Sequence, residues 1–345
     1  MFEIEHLKSG LSISTHIGCP LNCEYCVLSM LPQCEKKPKR IAYPHDLVEA
    51  IFREETLFLH GYTPLLINNR TDPFLPEVIN DTEKLLYELA DLHIMSPVVI
   101  ITKVIPTIEL REIAKKINLI VLYSYSGLES DFNYLDWERL DDLKKALDDG
   151  AFFHYLRPII PRRNDDLQYI MRVIEHFRDA GCSGTIISGL RLTQNNQYLL
   201  NNIEEMHIDR NHKVLEDNFY IGILNELCNR KIEYPIFRHT SCAIDYATER
   251  ANRLNYYNIQ NHCFKSLCPN YSNCMDAPYK DLTEIMNVVM KKLCRDIKYK
   301  ISDGIVYVED IMTQEEIAYI KNAYGIKINC KQIRMSKSEV YITSE

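Results

Sequence analysis

Between residues 11 and 192, short apolar runs alternate with stretches in which apolar positions recur every three or four residues. The runs LSISTHI (11–17), PLLINNR (64–70), PVVIITK (97–103), NLIVLYSYS (118–126), FFHYLRPII (152–160) and GTIISGLR (184–191) are predicted strands. Helices are predicted from near His45, Glu77, Ile108, Trp137 and Asp165. In LVEAIFREETLFL, and again at Leu143, Ala146 and Leu147, the apolar spacing suits a helix with one face on a sheet. Strands that are apolar along their whole length, with helices between them, must have both faces covered. They therefore predict βαβ units in a parallel sheet or barrel.

After Arg191 the pattern breaks into LTQNNQYLLNNIEE, a polar stretch expected to form a loop or domain edge. A helix (214–229) and a strand in YPIFRHT follow. Residues 242–279 are rich in Cys, Tyr and Asn and carry no clear period, so a core of ordinary kind is not expected to order them. From Leu282 the chain predicts a helix, a strand pair around Gly304, the helix QEEIAYIKNAYG and two further strands. The expected organisation is an α/β unit over 1–192, a Cys-rich extension over 193–280 and a small α+β appendage over 281–345.

Composition narrows the chemistry. The chain has 345 residues, 46% of them hydrophobic, enough for a large core. No uncharged apolar stretch is long enough to cross a membrane, and MFEIEHLKSG lacks the order of a secretory signal. The expectation is a cytoplasmic protein without a membrane partner. In a reducing compartment its 12 cysteines suit metal binding or redox chemistry better than a disulfide framework. A formal net charge of -8 argues against broad affinity for nucleic acid, though not against a local basic groove.

Cys19, Cys23 and Cys26 stand in GCPLNCEYC as Cys-x3-Cys-x2-Cys, just past the C-terminal end of the first predicted strand. Parallel α/β folds place their active sites at that end. A structural zinc site takes four protein ligands, whereas three leave a position open. A 4Fe-4S cluster on three thiolates likewise keeps one iron free for an outside ligand. The rival here is a zinc knuckle completed by Cys34 or His16.

This spacing resembles that of the radical S-adenosylmethionine superfamily. Across about residues 10–192, the segments NNRTDPFLPE, VVIITK, YSYSGL and LRPIIPRRND resemble the branch that includes spore photoproduct lyase and the DNA-repair-photolyase-like proteins. The resemblance implies a partial (β/α)6 barrel of TIM type, with a 4Fe-4S cluster on Cys19, Cys23 and Cys26 and S-adenosylmethionine chelated by the free iron. It implies that Thr71, Asp72, Lys103 and Ser124 contact the methionine part of the cofactor and that Tyr25 supports its adenine. The implied reaction is reductive cleavage of S-adenosylmethionine to a 5'-deoxyadenosyl radical, which takes hydrogen from a substrate C–H bond. It also implies an electron donor such as flavodoxin or ferredoxin. Tyr123, Tyr125, His154, Tyr155 and Arg157 are candidates to line the substrate space, although alternation turns about half of them toward the helices. One departure bears on the substrate: the lyase has a hydrogen-donating cysteine three residues before the Asp of this loop, and here that residue is Asn69. Unless Cys182 or Cys242 takes over, a substrate other than the spore photoproduct is expected. Nucleotide or nucleic acid, peptide and small metabolite all stay open, as does a noncatalytic zinc-binding nucleic-acid module.

A second group, Cys242, Cys263, Cys268 and Cys274, with His239 and His262 nearby, can hold an auxiliary iron-sulfur cluster or zinc, or can simply pack. Cys182, Cys228, Cys294 and Cys330 fall in regular patterns and are read as packing residues. The stretch LNYYN with Arg238, Arg250 and Arg253 could clamp a nucleotide or wall a cluster.

Overall fold

Apolar runs of three to nine residues cannot form helices of useful length, and in the structure they pair side by side. The computed structural model describes residues 4–7, 9–30, 36–53, 56–107, 110–131, 140–147, 151–200, 213–214, 217–249, 268–275 and 280–334. In chain order its first part is β1 (Ile4–Leu7), β2 (Gly10–Ile13), β3 (His16–Ile17), β4 (Lys39–Arg40), α1 (Pro44–Ile51), β5 (Leu65–Ile67), α2 (Ile79–Asp91), β6 (Val98–Thr102) and α3 (Arg111–Ala114). Then follow β7 (Leu119–Ser124), α4 (Leu140–Leu147), β8 (Ala151–Ile159), α5 (Leu167–Asp179), β9 (Thr185–Arg191), β10 (Lys213–Val214), α6 (Asp217–Asn229), β11 (Ile236–Phe237) and α7 (Thr240–Ala247).

The main sheet has the order β1-β2-β5-β6-β7-β8-β9-β10, with β11 also on β9. From β2 to β9 every pairing is parallel and follows the chain order. Right-handed crossovers in one direction put all the connecting helices on one side. The buried clusters agree. Leu11, Ile13, Leu65, Ile67, Val98, Ile100, Leu119 and Val121 pack with Leu47, Leu85, Ile113, Leu143 and Phe177 of the helices. Their neighbours on the opposite face, Leu66, Val99, Ile120, Leu122, Phe153, Tyr155 and Ile186, pack instead with Phe237, Ala243 and Ile244. The second face is therefore filled by α7 at its apolar level. Toward the C-terminal ends of the strands the same alternation places Lys103, Ser124 and Ser126 on that face, where Arg157 contacts Tyr155 and Asn69 Oδ1 accepts from Ser12 Oγ.

Two expectations change. The first predicted strand is interrupted, because Asn68 Oδ1 accepts from Thr15 N (2.7 Å) and Thr15 Oγ1 (3.0 Å) and draws the chain off the sheet. His16–Ile17 then pairs antiparallel with Lys39–Arg40. Fully buried Asn68 also donates to Thr82 Oγ1 of α2 (2.8 Å) and sits at φ 51. Removing it would strand several buried donors and acceptors, each costing about 1–3 kcal/mol. The helix expected from Ile108 is one turn, closed by Lys116 N donating to Ile113 O (2.9 Å) before β7 begins. Its predicted beginning, like that of the helix near Trp137, lies outside the described residues.

The last part comprises α8 (Tyr271–Met275), α9 (Leu282–Lys292), β12 (Tyr299–Ser302), β13 (Ile305–Thr313), α10 (Gln314–Tyr324) and β14 (Lys327–Arg334). Of the two strands expected at its end, one is β14, which runs parallel to β13 from Lys327 to Arg334 across an irregularity between Val308 and Ile311, and residues 335–345 lie outside the described residues. A Thr313–Glu316 capping box starts α10 and left-handed Gly325 ends it. This unit has its own core, including Met286, Val306, Met312 and Ile320, and Asn322 Nδ2 donates to Leu7 O (2.9 Å) of the N-terminal hairpin.

Candidate functional site

The cysteine loop leaves the sheet beyond β3 and is stitched to the loop after β5, where Gly18 N donates to Arg70 O (3.2 Å). Within it Cys26 N donates to Cys23 O (3.0 Å), which closes a tight turn between the two cysteines. Glu24 fastens the loop across the mouth, accepting from Arg163 Nη1 (2.6 Å) and Ser130 Oγ (2.7 Å). Burial pushes the Cys19 thiol up to about 11, with the Asp72 carboxylate and Cys26 adding to it. Burial likewise pushes Cys23 up to about 12, opposed by the nearby Lys103 ammonium and reinforced by Asp131, Cys26 and Cys19.

The three thiols therefore lie within electrostatic reach of one another. Among the described residues, however, no three His, Cys, Asp or Glu side chains converge tightly enough for a single metal ion. A tetrahedral zinc needs sulfurs about 3.8 Å apart, given Zn–S bonds near 2.3 Å. A four-iron cluster spreads its thiolates more widely, since each binds a different iron, and the donor set fits that group. His16 does not complete a zinc knuckle: its Nδ1 lies 3.0 Å from Thr15 Oγ1 and its Nε2 3.9 Å from Asp81. Cys34 lies outside the described residues.

Beside the thiols stands a buried charge pair. Lys103 Nζ is 2.6 Å from Asp131 Oδ2, with side chains 9% and 2% exposed. Tyr25 donates its hydroxyl to the same carboxylate at 2.7–2.8 Å, as does Ser126, and Lys103 Nζ lies 5.4 Å from the centre of the Tyr25 ring. Lys103 thus ends a strand in the interior, not in solvent. Asp72 neither caps a helix, since α2 starts at Ile79, nor presents a free carboxylate. It accepts from Lys103 N (2.7 Å), Thr102 Oγ1 (2.9 Å) and Phe74 N (3.1 Å). Burial raises its pKa, partly offset by those bonds. Thr71 Oγ1 is buried without a hydrogen-bond partner, an orphan of the kind a ligand satisfies. Ser124 is buried at the end of β7. Leu128, Ile160, Leu190, Leu199 and Leu200 form a cluster on which Tyr25 packs, so part of the polar stretch after Arg191 shields the site.

The candidate lining residues divide as alternation requires. Tyr123 and Tyr125 join the cluster on the helix side, and His154 stacks on Phe177 at 3.8 Å between ring centres. Tyr155 and Arg157 face the other way. His154 Nε2 donates to Tyr125 O (3.0 Å), and burial holds its pKa down at about 3, slightly opposed by that bond. The unfolded chain binds this proton below about pH 6.5 while the native state does not. Stability should therefore fall as pH drops from 6.5 toward 3, by up to about 1.4 kcal/mol per unit from this residue. Urea midpoints against pH for wild type and His154→Gln check it, the variant being expected to show a shallower slope.

Cys182 is buried on the helix side, with His154 N donating to its sulfur (2.8 Å). Cys242, on α7, packs against the cluster on the second face, while Cys268 and Cys274 lie before and within α8. Cys263, His262, Arg250 and Arg253 lie outside the described residues. Asp131 and Ser126 escaped the sequence reading. YSYSGL was noticed but the aspartate five residues beyond Ser126 was not, and its only local signal was its place after a strand end.

No family model matches the sequence, and no curated protein matches it. Among solved structures, a variant of spore photoproduct lyase is similar with a TM-score of 0.48 at 10% identity, over 68% of this chain and 78% of that one. The lyase complexed with dinucleoside spore photoproduct gives 0.47 at 11%, over 66% and 76%. Streptococcus suis SuiB bound to precursor peptide SuiA gives 0.48 at 13%, over 76% of this chain and 56% of SuiB, so the alignment spans little more than half of that protein.

Proposed function

We propose that the chain is a radical S-adenosylmethionine enzyme whose 4Fe-4S cluster is held by Cys19, Cys23 and Cys26. The observation that carries this is the placement of Cys19, Cys23 and Cys26 within electrostatic reach of one another beside the buried Lys103–Asp131 pair. When bound and reduced, the cluster supplies the electron that cleaves S-adenosylmethionine to methionine and a 5'-deoxyadenosyl radical, which takes hydrogen from a substrate C–H bond.

The chain's own residues then have distinct tasks. Lys103 and Asp131 offer opposite charges matched to an amino-acid zwitterion, the ammonium to its carboxylate and the carboxylate to its ammonium. Asp72 holds the backbone of Lys103 in place. The Thr71 and Ser124 hydroxyls are placed to complete the polar contacts, and Tyr25 lends a ring beside them. The leucine cluster around Tyr25 keeps water from the reacting atoms. In this reading the parallel strands curl into a partial (β/α)6 barrel, and an electron donor such as flavodoxin or ferredoxin delivers the electron.

Anaerobically purified protein is expected to be brown, to bleach with dithionite and then to release 5'-deoxyadenosine from S-adenosylmethionine. A colourless protein carrying zinc would sink the proposal.

A further inference from the structure

Most charges named at the C-terminal ends of the strands are matched. Lys103 meets Asp131, Arg163 meets Glu24 at 2.6 Å, and Arg70 meets Glu5. Arg157 on β8 differs: among the described residues no carboxylate pairs with it. Its Nη1 donates to the Tyr155 hydroxyl and its guanidinium lies 5.2 Å from the centre of the Tyr155 ring. That hydroxyl is in turn 3.1 Å from Thr240 Oγ1 at the start of α7. The stem of the arrangement is rigid, because Tyr155 is buried in the cluster that α7 fills.

Register and contact together fix where the charge stands. Tyr155 is the strand partner of Ser124, and Arg157, two residues further toward the C-terminal end of the strand, shares its face through the contact with Tyr155. A half-buried guanidinium loses hydration without a counter-ion to replace it. The Tyr155 ring returns only part of that loss. What the arrangement gains is orientation: a planar fork with one edge pinned to Tyr155 and its other donors left for an acceptor.

We propose that Arg157 is the anchor for an anionic group, phosphate or carboxylate, of a low-molecular-mass substrate. The fork suits two parallel N–H···O bonds to such a group. A small ligand is favoured over a polyanion because the chain carries a net charge of -8. The word substrate rests on the proposed radical chemistry, whereas the anion site itself does not.

The test is chemical modification of the full-length, anaerobically purified protein with phenylglyoxal, read arginine by arginine by peptide mass spectrometry. Inorganic phosphate, malonate and S-adenosylmethionine are the three protecting probes. Phosphate or malonate should slow modification of Arg157 about tenfold at ten times its dissociation constant, by simple occupancy. Arg163, already paired with Glu24, should react at an unchanged rate. Whichever of the two protects better names the group. Protection by neither overturns the proposal, and so does protection by S-adenosylmethionine, which would assign Arg157 to the cofactor. The readout needs no turnover, so a failure to form 5'-deoxyadenosine would count against the cluster reading and leave this result standing.

Discussion

Cys19→Ala, Cys23→Ala and Cys26→Ala should each reduce 5'-deoxyadenosine formation to background and remove the iron bound at the loop. Each thiolate holds a separate iron in the proposed arrangement, so no neighbour can substitute. The half-buried thiols of Cys19 and Cys23, raised by their surroundings, gain more from a metal than from water, which makes the loop a poor place for an unliganded thiolate. Cys228→Ser and Cys294→Ser, at exposed positions, should leave iron content and product formation unchanged. Iron and sulfide analysis with chromatographic assay of 5'-deoxyadenosine separates the two groups of variants. Equal losses in both would refute a specific role for the loop. The triple alanine variant adds a measurement: iron that survives in it belongs to the second cysteine group, and complete loss removes the auxiliary cluster from consideration.

The second large effect concerns the buried pair. Lys103→Met should lower the unfolding free energy by about 3–5 kcal/mol, because the Asp131 carboxylate is left without its cation. Asp131→Asn should cost a similar amount for the opposite reason. The double variant Lys103→Met/Asp131→Asn removes both charges and should be more stable than the sum of the single losses implies, with a coupling of about 1–3 kcal/mol. Denaturant unfolding of the four proteins gives that number. Simple additivity would mean that the two side chains act independently. Affinity for S-adenosylmethionine, measured on the cluster-loaded forms, should fall in all three variants, including the double one whose fold is partly restored. That split distinguishes a ligand-binding pair from a purely structural one.

The parts of this architecture that were legible in the sequence are local. An apolar run such as VVIIT carries its strand tendency and two-sided burial within five residues, and the cysteine spacing lies within eight. What escaped depends on pairing across the chain. Tyr25 and Asp131 meet although 106 residues separate them, and Lys103 meets Asp131 across 28. No local pattern marks an aspartate for that role, since an acidic residue after a strand usually faces water. The interruption after Ile13 was equally hidden, because the force that bends the chain at Thr15 comes from Asn68, 53 residues away. Alternation, by contrast, did predict that Tyr123, Tyr125, His154, Tyr155 and Arg157 would divide between two faces, and only the fold could say which face holds α7.

Helix α7 forms the apolar floor on the second face of the sheet. Ala243 and Ile244 form part of its floor against Leu66, Val99, Ile120 and Phe153, below the polar rim that carries Lys103, Ser124 and Arg157. A change of side-chain volume on this helix would raise or lower the floor while the cysteine loop, fastened separately to Arg70 and Arg163, stayed where it is. In the proposed reading, ligand size and radical generation would then belong to different segments of the chain, and one could be altered by evolution or design without re-making the other.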